Sequence, residues 1–357
     1  MATRLDRFRA RMAEMKVPAA LVTEPLNVGY LTGFSGSACA LLVAAGGGVF
    51  ITDSRYTSQA QRECAPIPVV TATGSGTYHE AILAQAQRLA VRDVAVEADY
   101  LSVTEYDRLK DKLKGLVLKP VPDLVDALRR VKDEDEINTI RVACGLADRG
   151  FEYLLTILKP GVTEREVAAD LEHFLKRSGA DKEGFDTIVA SGERSAMPHG
   201  RASDRALREG DFITFDFGAR VNGYNSDITR TVVLGRASDR QREVYAVVLE
   251  AQLAGLAAIR AGASGKAVDA VARDLIARRG YGENFGHGLG HGLGRKVHDH
   301  RALTPHEDVT LEAGMVITVE PGVYVEGWGG VRIEDDVLVT DTGCEILTHA
   351  TKELIEI

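Results

Sequence analysis

One stretch, residues 213–227, constrains this chain more than any other: I-T-F-D-F-G-A-R-V-N-G-Y-N-S-D. Its start alternates strictly, Ile213, Phe215 and Phe217 on one side and Thr214 and Asp216 on the other, as a half-buried strand requires. Asn222-Gly223 then supplies the two-residue, positive-φ turn that a tight hairpin prefers. If that turn closes the hairpin, Val221 faces Tyr224, Asp216 faces Thr229, and Asp227 sits one diagonal step away. Parity puts both aspartates on one face with backbones roughly 7–8 Å apart. The hairpin offers no Lys or Arg on that face, so the two carboxylates repel unless a cation lies between them.

The chain writes the phrase twice. Ile317-Thr318-Val319-Glu320 repeats Ile213-Thr214-Phe215-Asp216 with an acid in the same slot, and Gly330-Val331-Arg332-Ile333-Glu334 brings a further one. The preceding segments echo too. Pro160-Gly161-Val162-Thr163 opens a helix running to Gly179, and Ala261-Gly262-Ala263-Ser264 opens one running to Gly280. A duplicated helix-plus-hairpin unit follows, each copy giving two carboxylates to a shared centre. Four inward acids are hard to bury without metal.

At 357 residues there is room for two domains, and 45% hydrophobic with 27% charged residues is the make-up of a soluble globular protein. A net charge of −9 argues against nucleic acid or an anionic membrane as the main partner. No apolar run approaches a membrane span, and residues 1–11 lack the apolar core of a signal peptide. Cys39, Cys64, Cys144 and Cys344 are scattered without a CxxC pair, as free thiols in a reducing cytoplasm would be.

Residues 1–131 alternate helical and extended patterns, the mark of an α/β layer domain. Helices are predicted near 3–15, 55–64, 78–89 and 102–114, and strands at 19–22, 69–72, 94–97 and 117–121. A hairpin at 41–43 and 49–52 is turned by Gly46-Gly47-Gly48. Thr73-Gly74-Ser75-Gly76 lacks the Lys of a nucleotide loop and reads as a plain turn, and Gly33-Phe34-Ser35-Gly36-Ser37 reads as a loop. The charged joint Lys132-Asp133-Glu134-Asp135-Glu136 starts residues 132–357, where a long helix runs to about Leu158. Capping boxes at Thr163-Glu164-Arg165-Glu166 and Ser238-Asp239-Arg240-Gln241 start two further helices. This second portion is α+β, helices on antiparallel sheet.

Between the hairpins lies His287-Gly288-Leu289-Gly290-His291-Gly292-Leu293-Gly294, then Val297-His298-Asp299. The regular glycines predict a strand or turn that lets backbone come close to a ligand. One imidazole joining four carboxylates makes an oxygen-rich set that suits Mn²⁺, Co²⁺ or Fe²⁺, with Zn²⁺ also compatible. Five ligands fit two ions better than one, and a pair ~4 Å apart is a recurrent device for making hydroxide at neutral pH.

These residues resemble the creatinase/methionine-aminopeptidase group with the "pita-bread" fold, and within it the Xaa-Pro peptidases, aminopeptidase P and prolidase. The order that carries the resemblance is Asp216, Asp227 eleven residues on, His291 in G-H-G-L-G, His298 in V-H-D, Glu320 in T-V-E-P-G and Glu334 in V-R-I-E-D. It covers nearly the whole chain, with residues 1–131 similar to a creatinase-type N-terminal domain and 132–357 to the catalytic domain. The resemblance implies that Asp216, Asp227, His291, Glu320 and Glu334 hold two divalent ions, Mn²⁺ first. It implies that His199, in Met197-Pro198-His199-Gly200, bonds the reacting amide region, and that His287 and His298 line the cleft, His298 stabilising the oxyanion. Glu320 would shuttle a proton from the bridging water and Arg332 would orient ligand carboxylates. Short proline-containing peptides are the implied substrates and a homodimer the implied assembly. Prolidases place an Arg four residues after the V-H-[DE] histidine, where this chain has Ala302. That departure puts an Xaa-Pro aminopeptidase first, with Xaa-Pro dipeptidase as the alternative. Methionine aminopeptidase, creatinase and a non-catalytic peptidase-like binding module rank below both.

Overall fold

The computed structural model describes residues 3–72 and 77–357, so the expected turn at Thr73-Gly74-Ser75-Gly76 lies outside the described residues. The chain divides into two compact units, Met1–Arg129 and Arg130–Ile357.

The first unit is built on a six-stranded mixed sheet in the order Val69–Ala72, Gly47–Asp53, Ala40–Ala44, Ala19–Val22, Asp93–Glu97, Val117–Val121. Its central strands read as unbroken apolar runs because both faces are covered. Leu41, Val43 and Phe50 pack with Phe8, Met12 and Tyr30 on one side, whereas Leu42, Val49 and Ile51 pack with Ile82, Val94 and Val96 on the other. The predicted helices occur at Arg4–Glu14, Thr57–Glu63, Thr77–Arg88 and Val103–Lys112. The hairpin turn differs from expectation: Ala44 pairs with Gly47, so Ala45-Gly46 makes the turn and Gly47 and Gly48 lie in the strand. The sequence reading also missed helix Pro25–Thr32, whose residues from Asn27 to Leu31 are all buried. A helix enclosed on every side carries no amphipathic period to find.

The second unit carries the repeat. Helices Glu164–Arg177 and Gly265–Arg278 each have 14 residues, each begins on a hydroxyl cap (Thr163, Ser264), and each ends before a positive-φ glycine (Gly179, Gly280). The backbone bonds repeat as well. Gly161 N–H donates to Leu207 and Gly262 N–H to Leu311, while Leu207 and Leu311 return bonds to Val162 and Ala263. The charged joint is the start of helix Glu134–Ile157, with Asp133 and Glu136 forming a capping box. Boxes at Thr163/Glu166 and Ser238/Gln241 likewise open Glu164–Arg177 and Asp239–Ala258.

In the first repeat, Phe212–Phe217 pairs antiparallel with Ile228–Val233 in the expected register, Asp216 opposite Thr229. Val221 faces Tyr224 across Asn222 (φ 48°) and Gly223 (φ 82°). Gly218 follows this strand, and the Ser226 carbonyl packs so close that a Cβ there would meet its oxygen at 1.8 Å. In the second repeat, Val316–Val319 pairs with Asp335–Val339, and Gly322–Val325 with Gly329–Arg332.

The expectation of a half-buried first strand is corrected. Ile213, Phe215 and Phe217 fill one core as read, but the Thr214 side is covered too. The second repeat stacks there: Glu334 N–H donates to the Thr229 carbonyl and Thr231 Oγ1 to the Arg332 carbonyl. This seam sets the acids of both hairpins against each other.

Candidate metal centre

Asp216, Asp227, His291, Glu320 and Glu334 line one cleft of about 950 Å³ within the second unit, together with His199, His287, His298 and Arg332. Asp216 comes from inside a strand, whereas Asp227, Glu320 and Glu334 sit just outside strands, where each chain bends toward the seam. Asp227, His291 and Glu334 each offer an atom such that all three lie within 4.8 Å of one another. His291 Nε2 is 3.6 Å from both Asp227 Oδ2 and Glu320 Oε1.

Each acid is held by one oxygen or by its backbone. Arg332 Nη2 donates to Asp216 Oδ2 at 2.5 Å, and Thr229 Oγ1 to Glu334 Oε2 at 2.6 Å. The Asp227 amide is fixed by Asp336 Oδ2 at 2.8 Å. Left over are Asp216 Oδ1, Asp227 Oδ1 and Glu334 Oε1, buried and without a hydrogen-bond partner among the described residues. Buried carboxylate oxygens without donors are costly, and oxygens spared from hydrogen bonding in one place are what a divalent cation takes up. The donor set fits metal. The first hairpin offers no basic partner on that face, and Arg332 reaches Asp216 from the second repeat.

The electrostatics agree. Burial, then the neighbouring acids, push the Asp227 carboxyl well above its ordinary value, and burial and Glu334 do the same to Glu320. Burial and Asp216 raise Glu334 to about 8. Burial lowers His291 to about 3, with His298 adding to the effect, so its imidazole is neutral and able to ligate. Its ring lies 4.1 Å from that of His298.

A hydrogen-bonded chain runs outward from the acids. Arg332 Nε donates to Thr229 Oγ1 at 3.0 Å, Arg332 Nη1 to the Tyr324 hydroxyl at 2.8 Å, and that hydroxyl meets His287 Nε2 at 2.9 Å. Burial, with Arg332 second, lowers His287 to about 4. The His287 segment is clamped from helix Gly265–Arg278. Asp269 accepts from Leu289 N–H at 2.9 Å, and Arg273, paired with Asp269, donates to the Phe285 and His287 carbonyls.

The glycine run forms a strand at Gly290–Gly292, as its spacing predicts, and Gly286, Gly288 and Gly290 line the cleft. A Cβ on Gly290 would meet the Thr318 carbonyl oxygen at 2.0 Å, and one on Gly292 the His300 ring at 2.0 Å. Gly290 and Gly292 thus also let a neighbouring strand and a side chain approach. Sequence reasoning also passed over Thr229, Tyr324, Asp269 and Arg273. Thr229 was legible as the register partner of Asp216, while the others act across distant segments with no local pattern. The four cysteines are free, and Cys144 donates to Asp336 Oδ2 at 3.3 Å. No helix among the described residues is long and apolar enough to cross a membrane.

Residues 138–341 match the model of metallopeptidase family M24, and residues 4–131 that of the creatinase/prolidase N-terminal domain. An Xaa-Pro dipeptidase of Pyrococcus furiosus is 37% identical over 99% of this chain and 100% of its own length. Among solved structures, an Xaa-Pro dipeptidase from Bacillus anthracis superposes with a TM-score of 0.95 at 41% identity, covering 99% of both chains. An X-Pro aminopeptidase from Thermotoga maritima does so with 0.91 at 39%, covering 97% of this chain and 100% of that one.

Proposed function

Because the chain belongs to metallopeptidase family M24, we propose that it hydrolyses Xaa-Pro dipeptides with the help of two divalent ions, most simply Mn²⁺. The observation that carries the reading is the meeting of four carboxylates and one neutral imidazole at a seam where three buried oxygens of those carboxylates have no hydrogen-bond partner among the described residues. Asp216, Asp227, His291, Glu320 and Glu334 would hold the ions. When bound, such a pair supplies Lewis acidity and water activation near neutral pH.

The chain's own groups do the rest. Glu320 holds and passes a proton between the attacking water and the leaving imino nitrogen. His298, whose imidazole partial desolvation holds below its ordinary value, donates an N–H to the developing oxyanion. His199 and His287 bracket the scissile amide from the cleft wall, and Arg332 fixes Asp216 in the orientation a ligand needs. A proline nitrogen carries no N–H and imposes its own φ, so recognition through the amino terminus and the carbonyl suits this bond better than strand pairing.

Residue pattern alone put aminopeptidase action first, on the strength of Ala302. Full-length likeness to proteins named Xaa-Pro dipeptidase supports the dipeptidase alternative better. The second reading keeps support from Ala302 and from the likeness to the Thermotoga maritima X-Pro aminopeptidase. Turnover of Ala-Pro against Ala-Pro-Ala decides between them: dipeptide preference is expected, and preference for the tripeptide returns the reading to the aminopeptidase. We assign residues 1–131 to the N-terminal domain and 132–357 to catalysis. A cytoplasmic homodimer is the accompanying expectation, tested by the mass in solution.

A further inference from the structure

His199 stands at the mouth of the cleft with an exposed ring, and among the described residues no hydrogen bond holds that ring. Its aim is therefore set by its backbone. It lies on a loop that leaves strand Ile188–Ser191, makes the 3₁₀ turn Gly192–Ala196, and returns through Arg201 to Ser203. Both ends of that loop converge on one side chain.

Glu164, the first residue of helix Glu164–Arg177, is fully buried. Its Oε1 accepts from Ser191 N–H at 2.8 Å and from Ser191 Oγ at 2.7 Å. Its Oε2 accepts from Ser203 N–H at 3.0 Å, Ser203 Oγ at 2.6 Å and Arg194 Nε at 3.0 Å. Arg194 carries the tie onward, donating through Nη2 to the Arg201 carbonyl at 2.6 Å. One carboxylate thus joins the outgoing end, the returning end and the 3₁₀ turn between them. Helix capping does not require this, because the cap is already complete through Thr163 and Glu166.

We infer that Glu164 is a positioning residue: it clasps the neck of the 191–203 loop and so fixes where His199 meets the substrate. The inference rests on the proposed peptidase reading for its catalytic half, and its structural half stands independently. Charge-assisted bonds of this kind are about twice as strong as neutral ones, and five of them converge on this one buried group. A displacement near 1 Å at a group that orients substrate costs on the order of 100-fold in rate.

The test combines hydrogen exchange with a mutant cycle. In metal-free protein, Glu164→Ala should speed amide exchange across residues 192–202 while leaving residues 285–293 unchanged. In metal-loaded protein it should lower kcat/KM for Ala-Pro by roughly 100-fold with bound metal unaltered. Added to His199→Ala, it should cost no more than about 3-fold further, because both act through one ring. Full additivity, loss of metal, or unchanged exchange at 192–202 overturns the inference. Should Glu164→Ala not fold, Ser203→Ala removes one tie only, and it must show the same exchange pattern and non-additivity in smaller degree. If the wild type cleaves no Xaa-Pro peptide, the peptidase reading fails, and the exchange experiment still judges the clasp.

Discussion

Stripping divalent metal from the protein and raising the pH from 7 to 8.5 should weaken its second unit. Glu334 has an ordinary carboxylate value when unfolded but titrates near 8 in the metal-free fold, where burial and Asp216 disfavour its charge. Between those values the native state binds a proton that the unfolded chain has released, so stability must fall as pH rises. At 1.36 kcal/mol per proton per pH unit, Glu334 alone contributes a loss of about 1.3 kcal/mol over this window. His287 and His291 work the other way. Their native values lie at about 4 and about 3, so they stay neutral while the unfolded rings shed their last protons. Above pH 7 that recovers only about 0.3 kcal/mol for the pair. A net loss of about 1 kcal/mol remains. Trp328, the chain's single tryptophan, packs edge-on to Phe212 and under Arg240 in this unit and reports its unfolding by fluorescence. The urea midpoint should drop by roughly 0.5 M without metal. With saturating Mn²⁺ the trend should reverse, because bound ions require the deprotonated ligands. A metal-free midpoint that holds level or climbs from pH 7 to 8.5 refutes the claim that uncompensated acids are gathered at the seam.

Other perturbations follow from the same contacts. Asp227→Asn should abolish peptidase activity yet raise the urea midpoint of the metal-free protein, since it removes a charge that burial and four neighbouring acids disfavour. Arg332→Met strands Asp216 and unties Tyr324, and its expected cost is about 3–5 kcal/mol in the metal-free state, partly recovered on adding metal. Gly290→Ala forces a methyl against the Thr318 carbonyl, which belongs to a paired strand and cannot yield, so a loss of about 1–3 kcal/mol with weakened metal binding at His291 is expected by denaturation and metal titration.

The sequence by itself determined what periodicity and local chemistry write along a strand or at a helix end. The alternation from Ile213 to Phe217, the positive-φ Asn222-Gly223 turn and the opposition of Asp216 and Thr229 needed only the two-residue period of a strand. The capping boxes needed only a three-residue spacing, and the doubled phrase revealed the repeat. The tertiary structure decided everything that depends on which segments meet. Arg332 reaches Asp216 from 116 residues away, and Asp269 and Arg273 hold the His287 segment from a helix. Glu164 reads locally as part of a cap but serves the loop ends at Ser191 and Ser203. Helix Pro25–Thr32 stayed hidden because burial on all sides erases the pattern that exposes a helix to a reader. Side-chain period is a property of one segment and its solvent, whereas a buried charge finds its partner only when the seam between two repeats closes and water is gone.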